Sequence, residues 1–344
     1  MRAEQLTDAV AYHAEGPVWS ESWGGLRWVD MLAGDVLTLG ADGAIDRRHV
    51  GTIAAVVRPR RDGGAVIAVE RGFLLEESDG TLTELPPVFS DDSVRMNEGG
   101  CDPDGRFYCG SMGYDHAPGA GSVYRLDPDR SVHTVIEGVT ISNGLEWSPD
   151  GSRAYYVDTP THRIDVFDYD RDGGLTGRRP FVESGGSPDG LTVDADGGVW
   201  VAFFGGSAVH RYAPDGSRAY YVDTPTHRVD VFDYDRDRGL TGRRPFVESD
   251  GSPDGLTVDA EGGVWVAFYG GSAVHRYGAD GTLDEVVEVG ARQVTACTLG
   301  GPDLSELFIT TSRERLEPGD DPLAGSLFHA DAGVRGRPVR EFAG

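Results

Sequence analysis

A short turn recurs along the chain and constrains its local structure more than any other feature. Four copies begin at Asp102, Ser148, Asp194 and Asp259 and read D-P-D-G, S-P-D-G, D-A-D-G and D-A-E-G, and an earlier R-D-G ends at Gly63. Asp or Ser at the first position and Gly at the last is typical of a tight hairpin turn. A short strand rich in Val, Tyr, Phe and Trp follows each of the four full turns. This pattern predicts an all-β chain.

The spacing of the turns predicts the architecture. Their closing glycines lie 42, 46, 46 and 65 residues apart. A hairpin-rich unit of about 45 residues has the size of one four-stranded β-propeller blade. A β-sandwich would not repeat its turn motif so evenly, so we predict a β-propeller.

The 65-residue step is explained by a tandem duplication. Residues 149–213 and 214–278 align without gaps and differ at only six positions. Removing 65 of the 344 residues leaves 279, which is close to six units of 46. A closed propeller needs complete blades, because a partial blade leaves an unpaired strand edge. We expect one β-propeller domain over residues 1–344, either a seven-bladed ring with one overfull blade or a six-bladed ring with extruded material, and we favour the first.

Seven segments have the pattern of inner propeller strands. They start near Glu15, Ala54, Asn97, Asn143, Asp189, Asp254 and Thr295. Between Asp189 and Asp254 the sequence predicts six strands, whereas a normal blade has four.

Polar residues lie where these inner strands begin, at the mouth of the predicted central channel. They are Glu15, Arg95, Asn97, Asn143 and either Asp189 or Asp254. Two carboxylates and an amide oxygen suit a hard divalent cation such as Ca²⁺, Mg²⁺ or Mn²⁺, and Zn²⁺ also accepts carboxylates. Asn-Gly and Asp-Gly are also common turn pairs, so a structural interpretation of these residues stays open.

Four segments, in order, resemble the senescence marker protein (regucalcin), gluconolactonase and luciferin-regenerating enzyme family. They read AEGPVWS, RMNEGGCDPDGRFYCGSMG, ISNGLEWSPDGSRAYYVDT and SPDGLTVDADGGVWVA. The resemblance covers nearly the whole chain apart from the extra copy. It implies a six-bladed propeller with one divalent metal on its axis, and usually lactone hydrolysis.

The resemblance also implies roles for individual residues. Glu15 and Asn143 match metal ligands. The Asp that serves as both ligand and catalytic base in the family matches Asp189 and Asp254 alike, and the intact downstream segment favours Asp254.

Two further residues match the family's substrate contacts. Arg95 and Asn97 correspond to the pair that faces the substrate. An acidic substrate contact of some animal members has no clear match in residues 114–121, so a sugar preference is not implied.

Composition excludes several classes of partner. Acidic residues outnumber basic ones by 57 to 31, which gives a net charge of -26 and argues against binding to nucleic acid or an anionic membrane surface. The N-terminal segment lacks the apolar core of a signal peptide. Three cysteines without C-x-x-C spacing predict neither a disulfide framework nor a structural zinc site. We expect a cytoplasmic protein.

These observations favour an enzyme. We expect a hydrolase that opens small sugar lactones by water attack on a carbonyl polarised by one divalent ion (Ca, Zn, Mn or Mg). The first alternative is a related esterase or phosphotriesterase at the same site, because a fold does not determine its substrate. The second alternative is a non-catalytic propeller that binds a metal or a partner protein. The oligomeric state is left open.

Overall fold

The computed structural model describes residues 1–184, 186–204, 208–214, 218–223, 228–235, 239–247, 251–278 and 282–344. Within these residues the strands form seven antiparallel sheets. Three 3₁₀ turns accompany them, at Glu21–Trp23, Met31–Ala33 and Thr159–Thr161. The prediction of an all-β propeller, with seven blades, is confirmed.

The first four blades each contain four strands in chain order. Blade 1 contains β2 (Ala14–Ser20), β3 (Gly25–Asp30), β4 (Asp35–Leu39) and β5 (Ile45–His49). Blade 2 contains β6 (Ala54–Pro59), β7 (Ala65–Val69), β8 (Gly72–Glu76) and β9 (Leu82–Glu84). Blade 3 contains β10 (Val94–Cys101), β11 (Phe107–Gly113), β12 (Gly121–Leu126) and β13 (Val132–Val139). Blade 4 contains β14 (Ser142–Trp147), β15 (Arg153–Asp158), β16 (Arg163–Asp170) and β17 (Gly174–Glu183).

Blade 5 is overfull, as the duplication predicts. It contains β18 (Ser187–Val193), β19 (Val199–Phe204), β20 (Ala208–Tyr212), β21 (Arg218–Asp223), β22 (Arg228–Asp235) and β23 (Gly239–Val247), paired in that order. Blade 6 returns to four strands, β24 (Ser252–Val258), β25 (Val264–Tyr269), β26 (Ala273–Tyr277) and β27 (Leu283–Glu288). The six strands between the two aspartates are therefore one sheet, and no strand of this stretch is extruded from it within the described residues.

Both ends of the chain build blade 7. It contains β28 (Val294–Gly300), β29 (Glu306–Thr311) and β30 (Phe328–Asp331), and its outer strand is the N-terminal β1 (Glu4–Gln5). Glu4 pairs with His329 and Gln5 with Phe328. Because this sheet joins the first and last strands, it closes the ring.

The apolar core lies between neighbouring blades. Alternation along each strand places Trp28, Trp147 and Trp265 among the most deeply buried side chains. The inner strands β2, β6, β10, β14, β18, β24 and β28 contact one another in that order, and β28 contacts β2. This order determines which side chains meet at the axis.

The C-terminal segment crosses from one side of the ring to the other. Gly336 N donates to the Leu304 carbonyl on the blade 7 side, at 2.7 Å. Phe342 N donates to the Pro59 carbonyl of blade 2, at 2.8 Å. Between these points Arg340 pairs with Glu146 and lies over the Trp147 ring. The segment therefore ties opposite blades together across the channel.

None of the described helices is long and apolar enough to cross a membrane.

Candidate active site

The inner strands surround a cavity of about 930 Å³ along the axis. All the residues singled out in the sequence line it: Glu15, Arg95, Asn97, Asn143, Asp189 and Asp254. The structure thus brings the six together, and both duplicated aspartates share one channel. Their individual roles stay predictions.

A break in strand register places four of the six candidate side chains, and Glu15 and Arg95 lie at paired positions just before such a break. Every one of the seven inner strands has such a break against its neighbour. Asn143 lies in the break between Ser142 and Leu145, and Asp189 and Asp254 lie in the equivalent breaks of β18 and β24. A bulge of this kind redirects side chains, because one strand carries residues that the other does not pair. The bulges therefore direct these polar groups into the channel.

The glycine after each of these residues permits the inner strands to approach closely. A Cβ on Gly144 would lie 3.0 Å from the Asp189 carbonyl oxygen and 2.6 Å from the Leu191 nitrogen. A Cβ on Gly255 would lie 2.9 Å from the Thr295 carbonyl oxygen. The glycines of the N-G and D-G pairs are therefore packing requirements. The interpretation of these pairs as turns is wrong, because they lie inside strands β14, β18 and β24. The metal-site interpretation stays a prediction.

Two buried aspartates hold the chain just before the candidate residues. Asp158 accepts hydrogen bonds from the Thr140 and Ile141 N–H groups, at 3.0–3.2 Å, directly before the strand that carries Asn143. Asp30 accepts from the Tyr12 and His13 N–H groups at 2.9 Å, directly before Glu15. Each aspartate ends the second strand of its blade.

One side of the channel is a continuous line of hydrogen bonds. Arg95 Nη1 donates to Asn97 Oδ1 at 2.9 Å. Asn97 Nδ2 donates to Asn143 Oδ1 and to the Ser142 carbonyl, both at 2.9 Å. Asn143 Nδ2 donates to Thr159 Oγ1 at 2.8 Å. These contacts hold three candidate side chains in fixed orientations before any substrate is bound.

Beyond Asn143 around the ring, three carboxylates lie in a protein-enclosed setting. The channel reaches Glu15, Asp189 and Asp254, so they are half-buried, but protein atoms surround them elsewhere. Desolvation and the Asp189 charge raise the pKa of Glu15 to about 8. Desolvation raises the pKa of Asp189 to about 6. Desolvation and the Glu15 and Asp189 charges raise the pKa of Asp254 well above its ordinary value. Excess negative charge at one place is what a cation would relieve.

The donor chemistry of this group fits a hard divalent cation, but its geometry is open. The side-chain oxygens belong to carboxylates and one amide, the ligand types that Ca²⁺, Mg²⁺ and Mn²⁺ prefer. In the part of the chain that the structure describes, no three His, Cys, Asp or Glu side chains are grouped so as to hold a metal ion.

A histidine lies beside Glu15 at the mouth. His13 Nε2 is 3.5 Å from Glu15 Oε1, and His13 Nδ1 is 2.9 Å from Ser312 Oγ. Burial is the largest influence on this imidazole and lowers its pKa. Ser312 therefore holds this imidazole with its Nε2 facing the Glu15 carboxylate.

Several charged residues of the channel were not predicted, among them Glu98, Arg58 and Glu146. Glu98 lines it beside Asn97, and desolvation and the Asp189 charge raise its pKa to about 8. Strand alternation would point Glu98 away from Asn97, but both lie in the register break of β10. Arg58 donates to the Gly99 carbonyl at 2.9 Å, and Glu146 lies farther along the channel. A single arginine in the apolar run A-A-V-V-R-P was the signal available for Arg58.

Known proteins resemble this chain over its whole length. It is 29% identical to a pentonolactonase of Haloferax volcanii, over 98% of this chain and 97% of that protein. It is 28% identical to regucalcin of Oryctolagus cuniculus, over 96% of this chain and 94% of that protein. The crystal structure of a regucalcin from Agrobacterium tumefaciens, described as a calcium-binding protein, matches with a TM-score of 0.67 at 25% identity, over 99% of this chain and 97% of that chain.

A family match completes the comparison. The family described as SMP-30/Gluconolactonase/LRE-like region matches residues 13–219 and again residues 213–313. The two matches meet at the junction of the duplicated copies, so the family pattern is interrupted where the second copy begins. The chain belongs to the SMP-30/gluconolactonase/LRE-like family.

Proposed function

We propose that this protein is a divalent-metal-dependent hydrolase of small sugar lactones. The observation that carries the proposal is the convergence, in one channel, of half-buried carboxylates and a fixed line of arginine and amide donors. Membership of a lactonase-containing family and similarity to a pentonolactonase support the substrate class.

The cation would be held by Glu15, the Asn143 amide oxygen and at least one of Asp189 and Asp254. When bound, it would supply Lewis acidity and stabilise the negative charge that develops on the lactone carbonyl oxygen. Its own charge would also favour the ionised forms of the surrounding carboxylates. Calcium, zinc, manganese and magnesium all stay candidates.

Arg95 and Asn97 would bind and orient the substrate. The guanidinium has a planar set of donors suited to ring hydroxyls and to the carboxylate of the product. Because Arg95 is already hydrogen-bonded to Asn97, little side-chain freedom is lost when substrate binds.

An aspartate would move the proton. Asp189 or Asp254 accepts a proton from the attacking water while the water oxygen bonds to the lactone carbonyl carbon. The bond between that carbon and the ring oxygen then breaks, and the proton passes to the ring oxygen. The product is an open hydroxy acid, and no oxidant or reductant is required.

The test is hydrolysis of glucono-, xylono- and arabinonolactone followed by pH-stat. We expect turnover with Mn²⁺, Ca²⁺ or Zn²⁺, loss of turnover in EDTA, and recovery when metal is added. Glu15→Gln should lower kcat by about 100-fold or more. Asp196→Asn is the matched control, since it removes one negative charge at an exposed turn outside the channel.

Two results would contradict the proposal. Turnover that EDTA does not affect would exclude metal dependence. Absence of turnover on every lactone with every metal would leave the esterase or phosphotriesterase alternative, tested with aryl esters and phosphotriesters, and then the non-catalytic binding propeller.

A further inference from the structure

In a smaller ring, a single aspartate would be near both Asn143 and Glu15. The order of inner strands in this ring gives these two places to different aspartates. Asn143 lies on β14 and Asp189 on the adjoining strand β18. Asp254 lies on the next strand, β24, and only β28 separates that strand from β2, which carries Glu15. Asp189 is thus the neighbour of Asn143, whereas Asp254 is closer in the ring to Glu15.

Contacts between these strands show that the candidate residues lie at one level of the axis. The Cβ positions of Gly144, Gly190 and Gly255 face the carbonyl oxygens of Asp189, Asp254 and Thr295, at 3.0, 3.5 and 2.9 Å. Asn143, Asp189 and Asp254 therefore succeed one another around the channel at equal height, and differ in their positions around the ring.

The hydrogen bonds distinguish the places of the two aspartates. Asn143 is joined to Asn97 and through it to Arg95, the donors proposed to face substrate. Glu15 lies beside His13 on β2. Asp189, next to Asn143, is therefore the aspartate nearer in the ring to these donors, and Asp254 is the aspartate nearer to Glu15.

We propose that the duplication has divided the two tasks of one aspartate, so that Asp254 joins Glu15 as a carboxylate ligand of the cation and Asp189 is the general base beside Asn143. The inference rests on the proposed lactonase function. Its physical reason is reach, because ligand oxygens must lie about 2.0–2.6 Å from an ion. An extra inner strand widens the ring, so the aspartate beside Asn143 lies one strand farther from Glu15 than the other aspartate does.

The division has a defined chemical consequence. Asp189 takes the proton as the water oxygen bonds to the lactone carbonyl carbon, and returns it to the ring oxygen when the ring carbon–oxygen bond breaks. Asp254 carries no proton through the cycle. Loss of Asp189 therefore removes a proton acceptor, and loss of Asp254 removes a ligand.

The test measures ion binding and turnover separately on the full chain. Mn²⁺ binding is titrated by calorimetry for the parent protein, Asp254→Asn, Asp189→Asn and the control Asp196→Asn, and each is assayed by pH-stat at saturating Mn²⁺. We expect Asp254→Asn to weaken Mn²⁺ binding by about tenfold or more. We expect Asp189→Asn to bind Mn²⁺ within about threefold of the parent while kcat falls by about 100-fold or more with KM little changed.

The opposite result overturns the inference. If Asp189→Asn weakens Mn²⁺ binding as much as Asp254→Asn does, the two tasks are not divided, and if Asp254→Asn binds Mn²⁺ like the parent, Asp254 is not a ligand. Thermal melts identify a variant that fails to fold, and Asp254→Glu and Asp189→Glu then replace it in the same titration. A parent protein that binds Mn²⁺ but hydrolyses no lactone would refute the proposed function alone, because calorimetry still reports which aspartate is the ligand.

Discussion

The two copies of the repeat have nearly the same sequence and different places in the ring. In the first copy β15, β16 and β17 are strands two to four of blade 4. In the second copy the same sequences form β21, β22 and β23, which are strands four to six of blade 5. Even the register is shared, since Arg153 pairs with Asp168 and Arg218 with Asp233. Local sequence therefore determines the hairpins, and the strand that precedes them determines the blade that they join.

The remaining part of each copy begins a blade of its own, but with different neighbours. A Cβ added to Gly190 would lie 3.3 Å from the flexible end of the Leu256 side chain. A Cβ added to the equivalent Gly255 would lie only 2.7 Å from the Cβ of Ala296 and 2.9 Å from its Cα. The contact between the two duplicated inner strands is thus looser than the contact between the second copy and blade 7.

Of the changes that test this comparison, deletion of either copy should have the largest effect. Removal of residues 149–213 or of 214–278 leaves 279-residue chains that differ at six positions only. We expect both to fold as six-bladed rings in which one aspartate reaches both Glu15 and Asn143, and to bind Mn²⁺ about tenfold or more tightly than the full chain. Calorimetry and pH-stat assays check this. Two shortened chains with affinities far apart would show that the six substitutions, and not position, distinguish the copies.

The same Gly-to-Ala change should have unequal effects in the two copies. Gly255→Ala places a methyl group against Ala296 and should lower the unfolding free energy by about 1–3 kcal/mol. In Gly190→Ala the added methyl group meets only the flexible end of Leu256. The substitution also lowers the conformational entropy of the unfolded chain, so its effect on the unfolding free energy should stay within about 1 kcal/mol of zero. Urea unfolding measures both. Equal destabilisation would contradict the looser contact at Gly190.

The two aspartates should contribute differently to the pH dependence of stability in the metal-free protein. Both have pKa values raised by folding, to about 6 for Asp189 and well above 3.8 for Asp254. The folded state therefore holds these protons more tightly, and the unfolding free energy falls as pH rises through the folded pKa values. Asp189→Asn should remove its part of this fall in unfolding free energy only up to about pH 6. Asp254→Asn should remove its part at higher pH as well. Thermal melts in EDTA between pH 4 and pH 8 measure the two slopes, and identical profiles would count against the distinction.

The smallest difference is expected at a contact that both copies share. Asp194 accepts from Trp200 Nε1 at 2.8 Å and from Arg211 Nε at 2.7 Å. Asp259 has the matching partners, Trp265 Nε1 at 3.1 Å and Arg276 Nε at 2.8 Å.

Breaking a buried pair of this kind costs about 3–5 kcal/mol, so Asp194→Asn and Asp259→Asn should each destabilise the protein strongly. The two losses should agree within about 1 kcal/mol, as measured by urea unfolding. A larger gap would mean that the outer strands added to blade 5 alter its interior.

The sequence predicted much of the fold because propeller blades are built from local hairpins. The turns that begin at Asp194 and Asp259 are recognisable from residue type alone, and the start of every inner strand was predicted to within three residues. Glu98 and Arg58 were missed for a physical reason. Alternation assigns faces only in regular strands, and a bulge places adjacent residues on the same side. The roles of the site residues stay predictions, because they depend on an ion and a substrate.

Local residue patterns were enough to identify the strands, the turns between them and the polar residues at the inner ends. These follow from side-chain alternation and from backbone preferences within a few residues. The packed ring was needed to show that the second copy extends blade 5 and that Asp189 and Asp254 face the same channel. Such outcomes depend on which sheet edge is free and on how many inner strands close the ring, and neither is encoded in any short segment.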